Sequence, residues 1–129
     1  MKNAIFSFAA LLVFGLLLSS CKKDPVFEEQ LVGSWVSNKV TYGQTDGTLL
    51  YKFDIHLESS KEFDLTETTP IGSVIRTGTW SSNEDTQEVT LNFEDGSPTL
   101  KYDIVTITDA LMTAETILNG TRFTIEFKK

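Results

Sequence analysis

Few side chains in this sequence have the type and spacing for chemistry, and they are scattered. Cys21 is the only cysteine. No disulfide can form within the chain, and a free exposed thiol would be a liability. His56 is the only histidine. It stands between Asp54 and Glu58 on the polar face of an alternating run, and a metal centre would need further nitrogen or sulfur ligands that the chain lacks. Serines are present, but no Gly-x-Ser-x-Gly elbow would expose one as a nucleophile. Glu62, Asp64, Glu84-Asp85 and Glu94-Asp95 fall in turns or on outward faces, whereas glycosidase-type catalysis needs a facing carboxyl pair in a cleft. Asn83-Glu84-Asp85 does not fit a calcium loop. Glu115 lies where the strand phase is ambiguous; inward it would orient a ligand, outward, the expected case, it is a surface carboxylate. Asn119-Gly120-Thr121 fits the eukaryotic glycosylation pattern, but a hairpin turn accounts for it. No catalytic residues, metal or cofactor are therefore expected.

The aromatic residues carry the remaining signal. Trp35, Tyr51, Phe53, Phe63, Trp80, Phe93, Tyr102, Phe123 and Phe127 are expected to face inward. They can line a cavity, as in ligand sites generally, or fill the core. Residue by residue, core filling is the simpler account. If a cavity exists, its floor is expected near Trp35 and its walls in the middle of the second to fifth strands.

Cys21 is positioned by what precedes it. Lys2 gives a positive start, Ala4 to Leu18 form an apolar run, and Ser19 and Ser20 are small. This is a secretory leader and lies outside fold reasoning; a transmembrane helix needs roughly 20 apolar residues. Leu18-Ser19-Ser20-Cys21 resembles the bacterial lipobox, which implies cleavage before Cys21, diacylglyceryl alkylation of its thiol and acylation of the freed amine. Several acyl chains are needed for a stable anchor, because each buried CH2 contributes only about 0.8 kcal/mol. The expected organisation is a cleaved leader over 1–20, a lipidated flexible tether over 21–26 and one folded domain over 27–129. Lys22 is not an Asp, which argues against inner-membrane retention. The charged residues Lys22, Lys23, Asp24, Glu28 and Glu29 resemble the surface-export signals of Bacteroidetes lipoproteins. The expected location is the cell envelope, at the outer membrane, with either face open. The short tether would hold the domain, and any ligand, within reach of the lipid surface.

Loss of Lys2 with the leader takes the formal net charge from −7 to about −8. Such an acidic surface repels nucleic acid. The remaining length suits one domain with its own core, and a monomer is expected. Past the leader, Thr, Val, Ile and Phe are plentiful and Ala is scarce, which favours strands.

Those strands can be read from period-two alternation. A helical turn over Phe27 to Leu31 precedes a first strand from Ser34 to Tyr42. Asp46-Gly47 reads as a hairpin turn. The second strand puts Leu49, Tyr51, Phe53, Ile55 and Leu57 on one face. The third places Phe63 and Leu65 inward, and the fourth, Ser73 to Ser81, holds Gly78, a mark of a bulge or close backbone approach. The fifth has Val89, Leu91 and Phe93 inward. The sixth, Thr99 to Ile107, changes phase at Ile104-Val105, so a bulge or bend is expected there. The seventh spans Leu111 to Leu118. Asn119-Gly120 is the strongest hairpin signal, and the last strand points Phe123, Ile125 and Phe127 inward. Eight sequential antiparallel strands with short turns predict an all-β, up-and-down β-barrel, closed so that no edge is left exposed. Its interior would be filled by side chains or hold one small ligand.

With its lipobox, short charged tether, Leu31-Val32-Gly33-Ser34-Trp35, Gly78-Thr79-Trp80 and closing Phe-x-Ile-x-Phe strand, the chain resembles the small lipocalin-like lipoproteins of Bacteroidetes. The resemblance implies that Gly33-x-Trp35 opens the first strand and that Trp35 plugs the closed end of a calycin-like cup. It also implies an Arg near the last strand packed on that Trp; Arg122 stands at this position, on the polar face by alternation. It implies binding of a small apolar or amphipathic molecule without catalysis. An interaction lipoprotein with a filled barrel, meeting a protein or glycan through its outer face, is the alternative.

Overall fold

A computed structural model describes residues 27–129. Cys21, the leader and the tether lie outside the described residues. The chain opens with a short helix, α1 (Phe27–Leu31), whose Phe27 and Leu31 are buried. Strands follow: β1 (Gly33–Tyr42), β2 (Thr45–Asp46), β3 (Lys52–Leu57), β4 (Glu62–Thr69), β5 (Gly72–Asn83), β6 (Glu88–Phe93), β7 (Leu100–Ile107), β8 (Leu111–Leu118) and β9 (Thr121–Lys128). Each long strand pairs antiparallel with the next, and β9 returns to pair with β1, which closes an eight-stranded up-and-down barrel. The two-residue β2 is an appendage on β1.

Closure divides β1 between two partners. Gly33 to Val36 pair with β3, and Val36 to Tyr42 pair with β9, with a register shift between Ser37 and Lys39. Side chains cover the ladder positions this leaves open. Phe53 N–H donates to Ser37 Oγ at 2.9 Å, and Val40 N–H donates to Thr48 Oγ1 at 3.1 Å. Buried backbone donors are thus paired where strand–strand bonds stop.

The alternation read from the sequence is what the barrel uses. Phe53, Ile55 and Leu57 on β3, Phe63 and Leu65 on β4, Val89 and Leu91 on β6, and Phe123, Ile125 and Phe127 on β9 are buried. Asn119 (φ 51°) and Gly120 (φ 80°) form the β8–β9 turn, both in the left-handed region that a tight hairpin requires. The β7–β8 register shifts between Ile104 and Thr106, where the phase change lies. Gly78 is a close approach: a Cβ there would overlap the carbonyl oxygen of Asn92 on β6.

Two expectations fail between Tyr42 and Lys52. The tight β1–β2 turn is at Gly43-Gln44, with Gly43 at φ 59°, and not at Asp46-Gly47. Gly47 is needed for space, since a Cβ would stand 2.7 Å from the Tyr42 ring. Leu49 does not begin an inward strand face; it is 99 % exposed, and the strand starts at Lys52. The reason is local. The N–H groups of both Leu50 and Tyr51 donate to the Gly47 carbonyl, at 2.9 Å each, and this turn keeps the backbone out of the ladder.

Candidate functional site

The antiparallel order places α1, Trp35, Leu57 and the start of β4 at one end of the barrel. Tyr42, the start of β3, the end of β4 and the β8–β9 turn lie at the other. The first end is closed. Trp35 is buried and donates its indole N–H to the Leu31 carbonyl at 2.8 Å, fastening α1 across the barrel. Trp80 donates to the Glu58 carbonyl at 2.9 Å, with Lys61 Nζ 4.3 Å from its ring centroid and paired to Glu28 of the helix. The cation over Trp35 is Lys129, 4.8 Å from the ring centroid, its ammonium also donating to the Gln30 carbonyl at 3.2 Å. Arg122 does not take this place. It faces outward, as its parity requires, and bonds Glu115 at 2.9 Å, which also settles Glu115 on the outer face.

Above the plug the lower barrel is filled. The space left among Leu57, Val89, Tyr102, Met112 and Phe127 is about 10 Å³, no more than one water molecule requires. The upper end is different. An open cup of about 480 Å³ lies between Tyr42, Tyr51, Phe53 and Phe123 on one side and Glu67 and Arg76 on the other. The aromatic side is a linked cluster. Tyr51 meets both Tyr42 and Phe123 edge-to-face with centroids 5.4 Å apart, and Phe53 meets Phe123 at 6.1 Å. These separations are typical of favourable aromatic pairs. Thr69, Asn119 and Thr121 edge the opening.

Glu67 and Arg76 continue the inward parity of Phe63 and Leu65 on β4 and of Gly78 and Trp80 on β5. Their side chains are 22 % and 24 % exposed, and Arg76 Nη1 stands 3.9 Å from Glu67 Oε1. This is an ion pair without a hydrogen bond. The Arg76 guanidinium carbon lies 3.5 Å from the Phe93 ring centroid. A guanidinium packed over a ring keeps N–H groups free to donate. Tyr102 points inward from β7, among the residues that line the small lower space. It is 4 % exposed, and its hydroxyl has no hydrogen-bond partner among the described residues. Burial first, and then the Glu67 charge, push its pKa well above the ordinary 10.0, against a smaller opposing effect of Arg76.

The sequence-derived aromatic set therefore splits by height. Trp35 and Trp80 belong to the closed end. Phe63 and Tyr102 sit in the filled interior, with Phe63 edge-on to Phe93 at 5.6 Å. Phe53 and Phe123 are buried cup walls, and Tyr51 is half-buried at the lip. Sequence reading missed Glu67 and Arg76, although the parity of their strands already pointed them inward.

Elsewhere, His56 Nδ1 lies 3.6 Å from Asp64 Oδ2 and 4.0 Å from Glu58 Oε1 on the outer face. Cross-strand pairing with β4 thus adds Asp64 to His56 and its near neighbour Glu58, a contact hidden in the sequence. All three are half-exposed. A second open cleft, about 460 Å³ on the outer side of β7 and β8, is lined by Lys101, Asp103, Glu115 and Arg122 and holds none of the aromatic residues. The cup is the place where apolar surface and charge converge. A scan against protein-family models finds no match, and a search of curated proteins finds none either.

Proposed function

We propose that this chain is a non-catalytic, lipid-anchored envelope protein whose lipocalin-like barrel holds a small apolar or amphipathic ligand in its open end. The observation that carries the reading is the aromatic cup of about 480 Å³ above a filled lower barrel. Concave sites with mostly apolar walls and a few converging polar groups are the usual form of small-molecule sites. The anchor rests on the lipobox-like Leu18-Ser19-Ser20-Cys21 and the apolar run before it. The protein acts as a monomer at the outer membrane, and its acidic surface disfavours nucleic acid.

The helix that leads into the domain sits at the closed end, so the tether joins there and the mouth opens at the end remote from the anchor. Ligand capture from the aqueous side then replaces the capture from the lipid surface that tether length alone implies.

Two experiments test this reading. Native mass spectrometry of detergent-solubilised protein should show a small-molecule adduct lost on mild activation. Absence of any adduct, with no binding of added apolar probes, sinks the binding function. Cys21→Ser should move the protein from the detergent phase to the aqueous phase; unchanged partitioning sinks the anchor.

A second reading, an interaction lipoprotein, is favoured by one observation. Leu49 and Ile71, each 99 % exposed, project from loops at the open end, and exposed apolar groups of this kind mark contact surfaces when they cluster. Specific capture of an envelope protein that is lost in Leu49→Ser, Ile71→Ser would support it.

A further inference from the structure

We infer that the cup selects a zwitterionic headgroup, an ammonium and a carboxylate on neighbouring atoms as in a free α-amino acid, carried on an apolar or aromatic body. This inference rests on the proposed reading of the cup as a ligand site.

The argument starts from charge. Glu67 and Arg76 face the same cup from adjacent strands, half-buried and 3.9 Å apart. A ligand anion would be drawn to Arg76 and repelled by Glu67 over nearly the same distance, so the two effects largely cancel. A cation meets the same cancellation with signs reversed. A headgroup bearing both charges, turned so that its carboxylate meets Arg76 and its ammonium meets Glu67, gains from both. The short separation of the pair calls for ligand charges that are equally close, as on an α-amino carboxylate, and disfavours long zwitterions.

Geometry supports the same assignment. The pair is not joined by a hydrogen bond, so each group keeps capacity for a ligand. The Arg76 guanidinium carbon stands 3.5 Å from the Phe93 ring centroid, and a guanidinium packed on a ring keeps N–H donors for a carboxylate. The rings of Tyr42, Tyr51, Phe53 and Phe123 then cover the apolar body.

Calorimetric titration of the purified protein with four probes that share a phenyl ring tests this. The probes are L-phenylalanine, 3-phenylpropanoate, 2-phenylethylamine and 3-phenylpropan-1-ol. L-phenylalanine should bind roughly tenfold or more tighter than each of the others, the size of one added charge-assisted contact. Glu67→Gln should bring 3-phenylpropanoate level with L-phenylalanine. Arg76→Gln should instead favour 2-phenylethylamine. Equal binding of all four probes by the unaltered protein overturns the headgroup inference while the cup reading stands. Tighter binding of the anion or the alcohol than of L-phenylalanine overturns it as well. Binding of none of them overturns both.

Discussion

Trp35 donates its indole N–H to the backbone carbonyl of Leu31 over 2.8 Å, and both residues are buried. The bond crosses the join between α1 and β1 and takes up a carbonyl that the last turn of a helix leaves unpaired. It locks the helix across one end of the barrel, so the cup at the other end is the way in. Trp35→Phe keeps most of the ring and removes the donor. The Leu31 carbonyl is then buried without a partner, and urea unfolding should show a loss of about 1–3 kcal/mol. An unchanged midpoint would mean that packing alone holds the plug.

Tyr102→Phe should act in the opposite direction. The hydroxyl is buried and unpaired, so its removal in the ligand-free protein should be neutral or stabilising by about 1 kcal/mol. Its pKa is raised above 10.0, by burial first and Glu67 second. Above pH 10 the unfolded tyrosine loses a proton that the folded one keeps, so stability falls as pH rises from there. Unfolding curves at neutral and alkaline pH should show part of that alkaline loss missing in Tyr102→Phe.

Gly78→Ala should be among the most damaging single changes. The added methyl group would overlap the Asn92 carbonyl oxygen and crowd Phe63, whose ring carbon is 3.0 Å away. Backbone cannot yield as a side chain can, so the β5–β6 pairing must open. A cost of about 3 kcal/mol, the upper part of the overpacking range, is expected. Thermal unfolding measures it.

Asp46 should titrate below its ordinary value of 3.8. Its carboxylate accepts bonds from the hydroxyl and backbone N–H of Thr48, at 2.6 and 3.0 Å, and these hold the charged form. A depressed folded pKa contributes stability that is present above pH 3.8 and lost as pH falls through the folded value. Carboxyl-detected NMR titration should find this shift in the native protein and its loss in Thr48→Val. The same Thr48 hydroxyl accepts from Val40 N–H, so the β2–β3 connection that delivers Tyr51 to the lip should loosen in that variant.

Much of the barrel is legible in the order of residues. Alternation names the inward residues of β3, β4, β6 and β9, Asn119-Gly120 names a turn, and the phase change at Ile104-Val105 names a bulge. Each is a local signal, because a strand repeats every two residues and a tight turn needs particular backbone angles. Leu49 escapes this reading because the bonds around Gly47 and Thr48 outcompete the ladder, and no alternation pattern reports a turn of that kind. The Lys129 contact to Trp35 escapes because it joins positions far apart in the chain. The grouping around His56 escapes because Asp64 reaches it only across a strand pair.

The strand inventory, the inward parity and the lipobox-like pattern at Cys21 all depend on nearest neighbours along the chain, which is why the residue order suffices for them. Which end of the barrel is plugged, how far the filling rises and what meets in the space above it are tertiary matters. Glu67 and Arg76 have inward parity from their strands alone. Whether an inward position is buried core or cup wall depends on how eight strands stagger around the closed sheet, and that stagger is set by the β9–β1 pairing, a contact between the two ends of the domain.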